Sequence, residues 1–295
     1  MEDQGRVGGV DKNMRHPEWI KVKSTDTHET KKILRHHGVS TVCEEARCPN
    51  QGKCFSQSAA AFMILGDRCT RNCSFCAVES SEPLPPDPEE PEKVANAVMA
   101  LGLKFAVITS VTRDDLPDGG AGGFAGTIQA IKNKNNAIKI EVLTPDFKGD
   151  SEALKTVLDA GPDVFNHNIE TVPRLYSAVR PMADYATSVS VLNTAKKLSP
   201  AIKTKSGIMT GLGETEQEVL SVMHDLREAG CDFLTIGQYL QPRRTNIPVV
   251  EYIKPEIFER YRIKALEKGF RAVASSPLTR SSMDASAMFD NAPLF

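Results

Sequence analysis

The sequence has almost no net charge and no long apolar run. Lys and Arg total 36 against 38 Asp and Glu, a formal net charge of −2 over 295 residues. No basic field is spread over the chain to attract nucleic acid. Its longest apolar stretches, such as FAVITSV, fall far short of the about 20 residues needed to span a bilayer. The opening MEDQGRVGGVDKNMRHPEWIKVK lacks an apolar core and carries acids, which argues against a secretion signal, and nothing supports a transit peptide. A cytoplasmic protein with no membrane and no nucleic-acid partner is the expectation.

Most telling is a missing cysteine. The chain has seven, an odd number: Cys43, Cys48, Cys54, Cys69, Cys73, Cys76 and Cys231. An odd count in a chain of this size argues against a disulfide framework and for metal or catalytic thiols in a reducing compartment. Six of them fall between residues 43 and 76, in two groups of three, and neither group has a fourth nearby. The six histidines show no metal-ligand spacing, and the pair His36–His37 suits a solvated helix face.

What is present is a strand–helix rhythm. After a helix around THETKKILRHHG and the Cys-rich segment, AAFMIL reads as a buried strand leading into CTRNCSFC. SSEPLPPDPEEPEK is a linker, because its prolines remove amide donors and block a helix until its end. Strands KFAVITSV, AIKIEVLTP, DVFNHNIE, IKTKSGIMTG and DFLTIGQYL then alternate with helical segments, among them SEALKTVLDAG with a Ser cap and a stop at Gly161. Counting AAFMIL, this makes about six βα units. The expected fold is therefore α/β, a partial six-unit TIM-like barrel with N- and C-terminal extensions. Division at 1–58, 59–245 and 246–295 follows, with a further helix (PEIFERYRIKALEKG), a strand (FRAVASS) and a tail in the last part. In such folds chemistry sits on the loops at the C-terminal strand ends, where the Cys69 loop lies.

Cys69, Cys73 and Cys76 follow C-x3-C-x2-C. Thiolates are soft ligands suited to iron–sulfur clusters, and three can hold a cubane while leaving its fourth iron open. A zinc loop or plain buried thiols are the blander alternatives, although three is the wrong count for a closed zinc site. Cys43, Cys48 and Cys54, in C-x4-C-x5-C, repeat the arithmetic and suggest a second cluster, with a zinc pair as its rival. Cys231 reads as a small hydrophobe in the core.

The first motif resembles the radical S-adenosylmethionine superfamily. CEEARCPN, both cysteine motifs, ITSVTRDDLPDGGAGGFA, HNIETVPRLYSAVRP, KSGIMTGLGET, GQYLQP and the tail RSS together resemble the lipoyl synthase family, from about Cys43 to Ser282. The sequence departs from the family pattern at Lys53, Phe55, Met182, Asn246 and Met283, none of them a presumed cluster ligand.

The resemblance implies a sulfurtransferase with two 4Fe-4S clusters and S-adenosylmethionine. The Cys69/Cys73/Cys76 cluster would cleave S-adenosylmethionine to a 5′-deoxyadenosyl radical. The Cys43/Cys48/Cys54 cluster, with Ser282 as fourth ligand, would be consumed as sulfur donor. Two sulfur atoms would enter at C6 and C8 of an octanoyl chain on a carrier lysine. Partners implied are octanoylated lipoyl domains of 2-oxoacid dehydrogenase E2 subunits, the glycine cleavage H protein and a low-potential electron donor.

Asn168, Glu170 and Arg180 are candidates for binding S-adenosylmethionine, and Arg280 for tuning the auxiliary cluster or contacting substrate. A strand-end hydrogen-bond network is the alternative for Asn168 and Glu170, a surface salt bridge for Arg180 and a salt bridge for Arg280. Glu214 and TRDDLPDGG can equally be turn elements. Arg243 and Arg244 could dock an acidic partner or sit in a solvated loop. A radical enzyme inserting sulfur into another substrate and a non-enzymatic iron–sulfur or zinc protein are the alternative functions.

Overall fold

A computed structural model describes residues 16–22 and 25–290; most of the N-terminal stretch read for targeting signals and the last five residues lie outside it. In chain order, helix α1 (His28–His37), strand β1 (Ser40–Thr41) and short helices α2 (Val42–Glu45) and α3 (Gln51–Ser56) come first. Strand β2 (Ala61–Ile64) leads into two short strands, β3 (Arg68–Cys69) and β4 (Glu79–Ser80). There follow α4 (Glu90–Ala100), β5 (Phe105–Ser110), α5 (Ala121–Lys134), β6 (Lys139–Leu143), α6 (Ser151–Asp159) and β7 (Val164–Asn166). The chain continues through α7 (Tyr176–Val179), α8 (Tyr185–Leu198), β8 (Lys203–Thr210), α9 (Glu216–Glu228) and β9 (Phe233–Gln238). It ends with α10 (Pro255–Glu267), β10 (Ala272–Ser276) and α11 (Ala285–Asp290).

One eight-stranded sheet runs in the order β1-β2-β5-β6-β7-β8-β9-β10. All pairings from β2 to β10 are parallel, while β1 pairs antiparallel with β2. The six expected barrel strands are all present and consecutive, and FRAVASS joins β9 as a seventh parallel strand. Both extensions thus lend a strand to the sheet. β2 and β9 are buried along their whole length, which is why neither alternates between apolar and charged residues. The main core lies between sheet and helices, centred on residues such as Phe62, Ile108, Phe124, Phe165, Leu234 and Phe258. No helix among the described residues is long and apolar enough to cross a membrane.

Two local expectations change. Helix α6 is capped by Asp150, whose carboxylate accepts from the amides of Glu152 and Ala153. Ser151 is its first helical residue; Asp and Ser serve a cap equally well, so composition alone misplaced it by one position. The strand expected through Glu170 leaves its ladder at Asn166 and returns to β-type pairing with β8 at a bridge between Glu170 and Ile208. Glu170 has φ of +68°, a left-handed backbone that ends a strand and costs on the order of 1 kcal/mol or more in a non-glycine residue.

Candidate cluster and cofactor site

The Cys69 loop is closed by the chain on either side of it. Arg68 and Cys69 pair in parallel with Glu79 and Ser80, so residues 70–78 form a loop pinched at its base. Cys69 Sγ accepts hydrogen bonds from the backbone amides of Arg71 (3.4 Å) and Thr112 (3.3 Å), and Cys76 Sγ from Val78 (3.4 Å). Amides aimed at sulfur favour the thiolate, and such bonds tune iron–sulfur potentials. Ser74 is tied to Val179 through its amide (3.0 Å) and to the amide of Ile247 through its carbonyl (3.0 Å).

Arg71, inside the C-x3-C spacing, is the clamp. Its guanidinium holds Asp114 through Nε (2.7 Å) and Nη2 (2.9 Å), and Asp146 through Nη1 (2.6 Å) and Nη2 (2.7 Å). Three loops, those after β2, β5 and β6, are thereby locked together. Burial opposes the charge on Asp146, but the bonds and field of Arg71 prevail and hold its carboxyl at about 2. Asp115 serves Arg113, and Asp118 accepts from the amides of Gly120 and Gly122. Within TRDDLPDGG these three carboxylates are thus satisfied inside the protein. Glu214 likewise closes its own turn, accepting from Gly211 and Leu212.

In the second triad Cys43 sits on α2, Cys54 on α3 and Cys48 in the connection between them. Arg47, with φ of +53°, turns the chain between the helices, and the Cys48 amide bonds the Cys43 carbonyl at 3.1 Å. Thr30 of α1 clamps α3 through the Phe55 carbonyl at 2.6 Å. All six thiols are free of disulfides. Burial, reinforced by the negative fields of Cys48 and Cys54, pushes Cys43 up to about 12, and burial with the fields of Cys73 and Cys69 does the same to Cys76. A buried thiol raised in this way ionises more readily beside a cationic metal. Among the described residues, no three His, Cys, Asp or Glu side chains converge closely enough to hold a single ion. A cubane asks for less convergence, since each thiolate bonds a different iron. The donor set therefore fits clusters.

The C-terminal tail crosses from the barrel to this second triad. Asn50 Nδ2 donates to the Leu278 carbonyl (2.6 Å) and to Met283 Sδ (3.0 Å), and Lys53 pairs with Asp284 at 3.4 Å. Ser282 lies between these anchors. Arg280 is close enough to Cys48 and Glu170 for both to act on its charge, and its Nη1 donates to the Thr279 carbonyl at 2.6 Å. A Cβ at Gly237 would strike that same carbonyl, so glycine lets the tail lie directly on β9. Asn246, another departure from the family pattern, donates to the carbonyls of Ser74 (3.2 Å) and Cys76 (2.7 Å).

Asn168, Glu170 and Arg180 come together. Asn168 Nδ2 donates to Glu170 Oε1 at 3.1 Å, and Arg180 Nη1 donates to the Asn168 carbonyl at 3.1 Å. Arg180 is buried, with Tyr176 and Ser188 as further partners, which sets aside the alternative of a surface salt bridge. Burial raises Glu170, with the cations of Arg180 and Arg280 pulling the other way. Arg180 also faces Cys73 electrostatically, which joins this trio to the first thiol triad. Cys231 is fully buried at the opposite, N-terminal end of β9, within the core. Arg243 and Arg244 are exposed.

Sequence inspection missed Asp146, Asn166, His167 and the pair Glu141–Lys205. Lys205 Nζ reaches both oxygens of Glu141 (3.0 and 2.9 Å), and each side chain is only 1% exposed. The available signal was a charge inside each strand, Glu141 in KIEVL and Lys205 in KTKSGIMT.

The radical SAM superfamily model matches residues 63–226. The backbone is similar to methylornithine synthase, with a TM-score of 0.55 and 16% identity over 85% of this chain and 75% of that one. It is also similar to Streptococcus suis SuiB bound to S-adenosylmethionine, with a TM-score of 0.57 and 11% identity over 90% and 61%. At such identities these two speak for the fold alone. Lipoyl synthase of Caldanaerobacter subterraneus subsp. tengcongensis is 56% identical over 92% of this chain and 96% of its own. That of Alkaliphilus metalliredigens is 54% identical over 92% and 94%. At that identity over more than nine-tenths of its length, the chain belongs to the lipoyl synthase family within the radical SAM superfamily.

Proposed function

We propose that this chain inserts two sulfur atoms at C6 and C8 of an octanoyl group held in amide linkage on a lysine of a lipoyl carrier domain. The observation that carries the reading is the pair of separate thiol triads tied to the same barrel mouth, one through Arg71 and the other through the C-terminal tail. As a radical SAM protein it works with an iron–sulfur cluster and S-adenosylmethionine; two 4Fe-4S clusters are the finer proposal. Cys69, Cys73 and Cys76 would hold the cluster that, with bound S-adenosylmethionine, would supply a 5′-deoxyadenosyl radical able to take hydrogen from an unactivated C–H bond. The auxiliary cluster at Cys43, Cys48, Cys54 and Ser282 is a substrate, the source of sulfide.

The protein's own work is positioning. Arg71 fixes the loop that carries the first triad. Asn168, Glu170 and Arg180 offer S-adenosylmethionine an amide, a carboxylate and a guanidinium beside Cys73. The tail brings Ser282 to the second triad, and oxygen bonds soft iron less firmly than thiolate does, so the Ser282 corner is the one to open when sulfide is drawn. Arg280, near both Cys48 and Glu170, stands where substrate must pass. Holding the two triads at one mouth lets a substrate carbon radical meet sulfide before solvent.

The division at 1–58, 59–245 and 246–295 goes with this reading: auxiliary thiols first, barrel next, serine tail last. Octanoylated domains of 2-oxoacid dehydrogenase E2 subunits and the glycine cleavage H protein are the proposed carriers. Exposed Arg243 and Arg244 would meet their acidic surface, a low-potential donor would supply electrons, and the cytoplasm is the proposed setting.

The test is conversion of an octanoyl-lysine peptide by reconstituted protein. Replacing Cys69, Cys73 and Cys76 by Ala should abolish 5′-deoxyadenosine formation. Replacing Cys43, Cys48 and Cys54 should leave that reaction intact and stop sulfur insertion. Lipoyl product from the second variant would remove the auxiliary cluster as donor.

A further inference from the structure

Ser281 is committed to the barrel in a way that bears on its neighbour. Asn166, fully buried on β7, donates through Nδ2 to Ser281 Oγ at 2.7 Å and to Glu141 Oε1 at 2.8 Å. Ser281 Oγ donates onward to Asn168 Oδ1 at 3.0 Å, and Asn168 Nδ2 donates to Glu170 Oε1 at 3.1 Å. The direction of every bond in this row is fixed from its ends. Lys205 holds Glu141 as an acceptor, so the Asn166 amide must present its NH2 there. Flipping that amide would set its oxygen against a carboxylate. With both amide hydrogens used, one on Glu141 and one on Ser281, the serine oxygen accepts and its proton must point at Asn168.

On the far side of Ser282 the tail is held from α3. Asn50 reaches Met283 at 3.0 Å and Lys53 reaches Asp284 at 3.4 Å. Ser282 is thus bracketed by one anchor in the barrel and two beside the auxiliary thiols.

We propose that Ser281 is the positioning residue for Ser282, a latch on Asn166 and Asn168 that fixes the tail so that the next hydroxyl is delivered to the Cys43/Cys48/Cys54 triad. The proposal rests on Ser282 being the auxiliary ligand, as proposed above. Ser281 keeps its proton on Asn168 and one lone pair on Asn166, so its part is to anchor the tail and not to bind iron. A polar row through the barrel interior, including the Glu141–Lys205 pair, then has a purpose: it orients one amide toward the tail.

The test uses full-length, reconstituted protein with two readouts. One is backbone hydrogen exchange over residues 278–284. The other is the Mössbauer spectrum of the auxiliary cluster, taken with Cys69, Cys73 and Cys76 replaced by Ala so that only this cluster contributes. Ser281→Ala should speed tail exchange by about tenfold, the effect of losing a hydrogen bond of ordinary net strength. It should also disturb the signal of the iron that lacks thiolate. Ser281→Thr, which keeps the hydroxyl, should restore both. Wild-type exchange in Ser281→Ala would overturn the latch, and so would faster exchange with an unchanged spectrum, which would make Ser281 merely structural. Ser282→Ala separates the two proposals: an unchanged spectrum there sinks the ligand assignment, whereas a changed one beside a silent Ser281→Ala sinks the latch alone.

Discussion

Arg71 and Asp146 form a bidentate pair, Nη1 to Oδ2 at 2.6 Å and Nη2 to Oδ1 at 2.7 Å, joining the cysteine loop to the loop after β6. Arg71 is 6% exposed and Asp146 2%, so water replaces nothing if the pair is broken. Asp114 shares the same guanidinium on its other edge.

Lysine cannot serve here, because one ammonium has no planar fork to meet two carboxylates at once. Arg71→Lys should cost about 2–3 kcal/mol of stability, the range for hydrogen bonds to charged groups. Iron should leave the Cys69 triad for a chelator several-fold faster, while the auxiliary triad keeps its iron. Iron counting on the two triad-specific variants separates these outcomes. Equal losses from both triads would mean that Arg71 supports the whole fold and not its own loop.

The buried Glu141–Lys205 pair gives a second, sharper contrast. Lys205→Met leaves a carboxylate stranded in the sheet, which should cost about 3–5 kcal/mol. Adding Glu141→Gln to it should recover much of that loss, because the amide oxygen still accepts from Asn166 and carries no charge. Chemical denaturation of the three proteins checks the order. If the double variant is no more stable than Lys205→Met, the charge was not the cost.

Much of this was legible because the signals are local. The βα alternation is written in each strand, and C-x3-C-x2-C needs eight consecutive residues. The clamps are not local. Arg71 meets Asp114 and Asp146 across 43 and 75 positions, Lys205 meets Glu141 across 64, and Asn166 meets Ser281 across 115. In each case only the folded sheet creates the neighbourhood; a charge inside a strand, as at Glu141 or Lys205, hints that a partner is needed and does not say which. Lys53 and Met283 look like isolated departures from the family pattern until the tail folds back, when both become anchors of the segment holding Ser282.

His167 sets a pH dependence. It is fully buried, with Nδ1 on the Thr144 carbonyl at 2.9 Å and, among the described residues, no partner for Nε2. Burial, with Arg180 nearby, brings it down to about 4 from an ordinary 6.5. A histidine depressed in the folded state stays neutral there while the unfolded chain takes up a proton. Its contribution is therefore fully present above about 6.5 and is lost as pH falls toward 4, by up to a few kcal/mol. His167→Gln should flatten the stability profile in that window relative to the parent. A parent and variant that lose stability in parallel between pH 6.5 and 4 would show that His167 does not titrate as its burial demands.

Asn246 reaches the cysteine loop from the segment after β9. Its amide donates to two carbonyls, Ser74 at 3.2 Å and Cys76 at 2.7 Å, while its own oxygen is buried with no partner among the described residues. The side chain is thus used only as a donor. Asn246→Ala removes that donor and leaves two carbonyls short, at about 1–3 kcal/mol. Asn246→Asp is nearly the same shape, yet it turns an acceptor-only carboxylate toward the same two carbonyls. Aspartate should therefore be worse than alanine, the reverse of what similarity in size suggests. The measurement is the rate at which a chelator strips iron from the Cys69 triad, with the auxiliary cysteines replaced by Ala. The expected order of stripping is wild type slowest, Asn246→Ala several-fold faster and Asn246→Asp fastest. An Asp variant that holds iron as well as wild type would mean the amide does not clasp the loop, and that Ile247, bonded to Ser74 at 3.0 Å, does so alone.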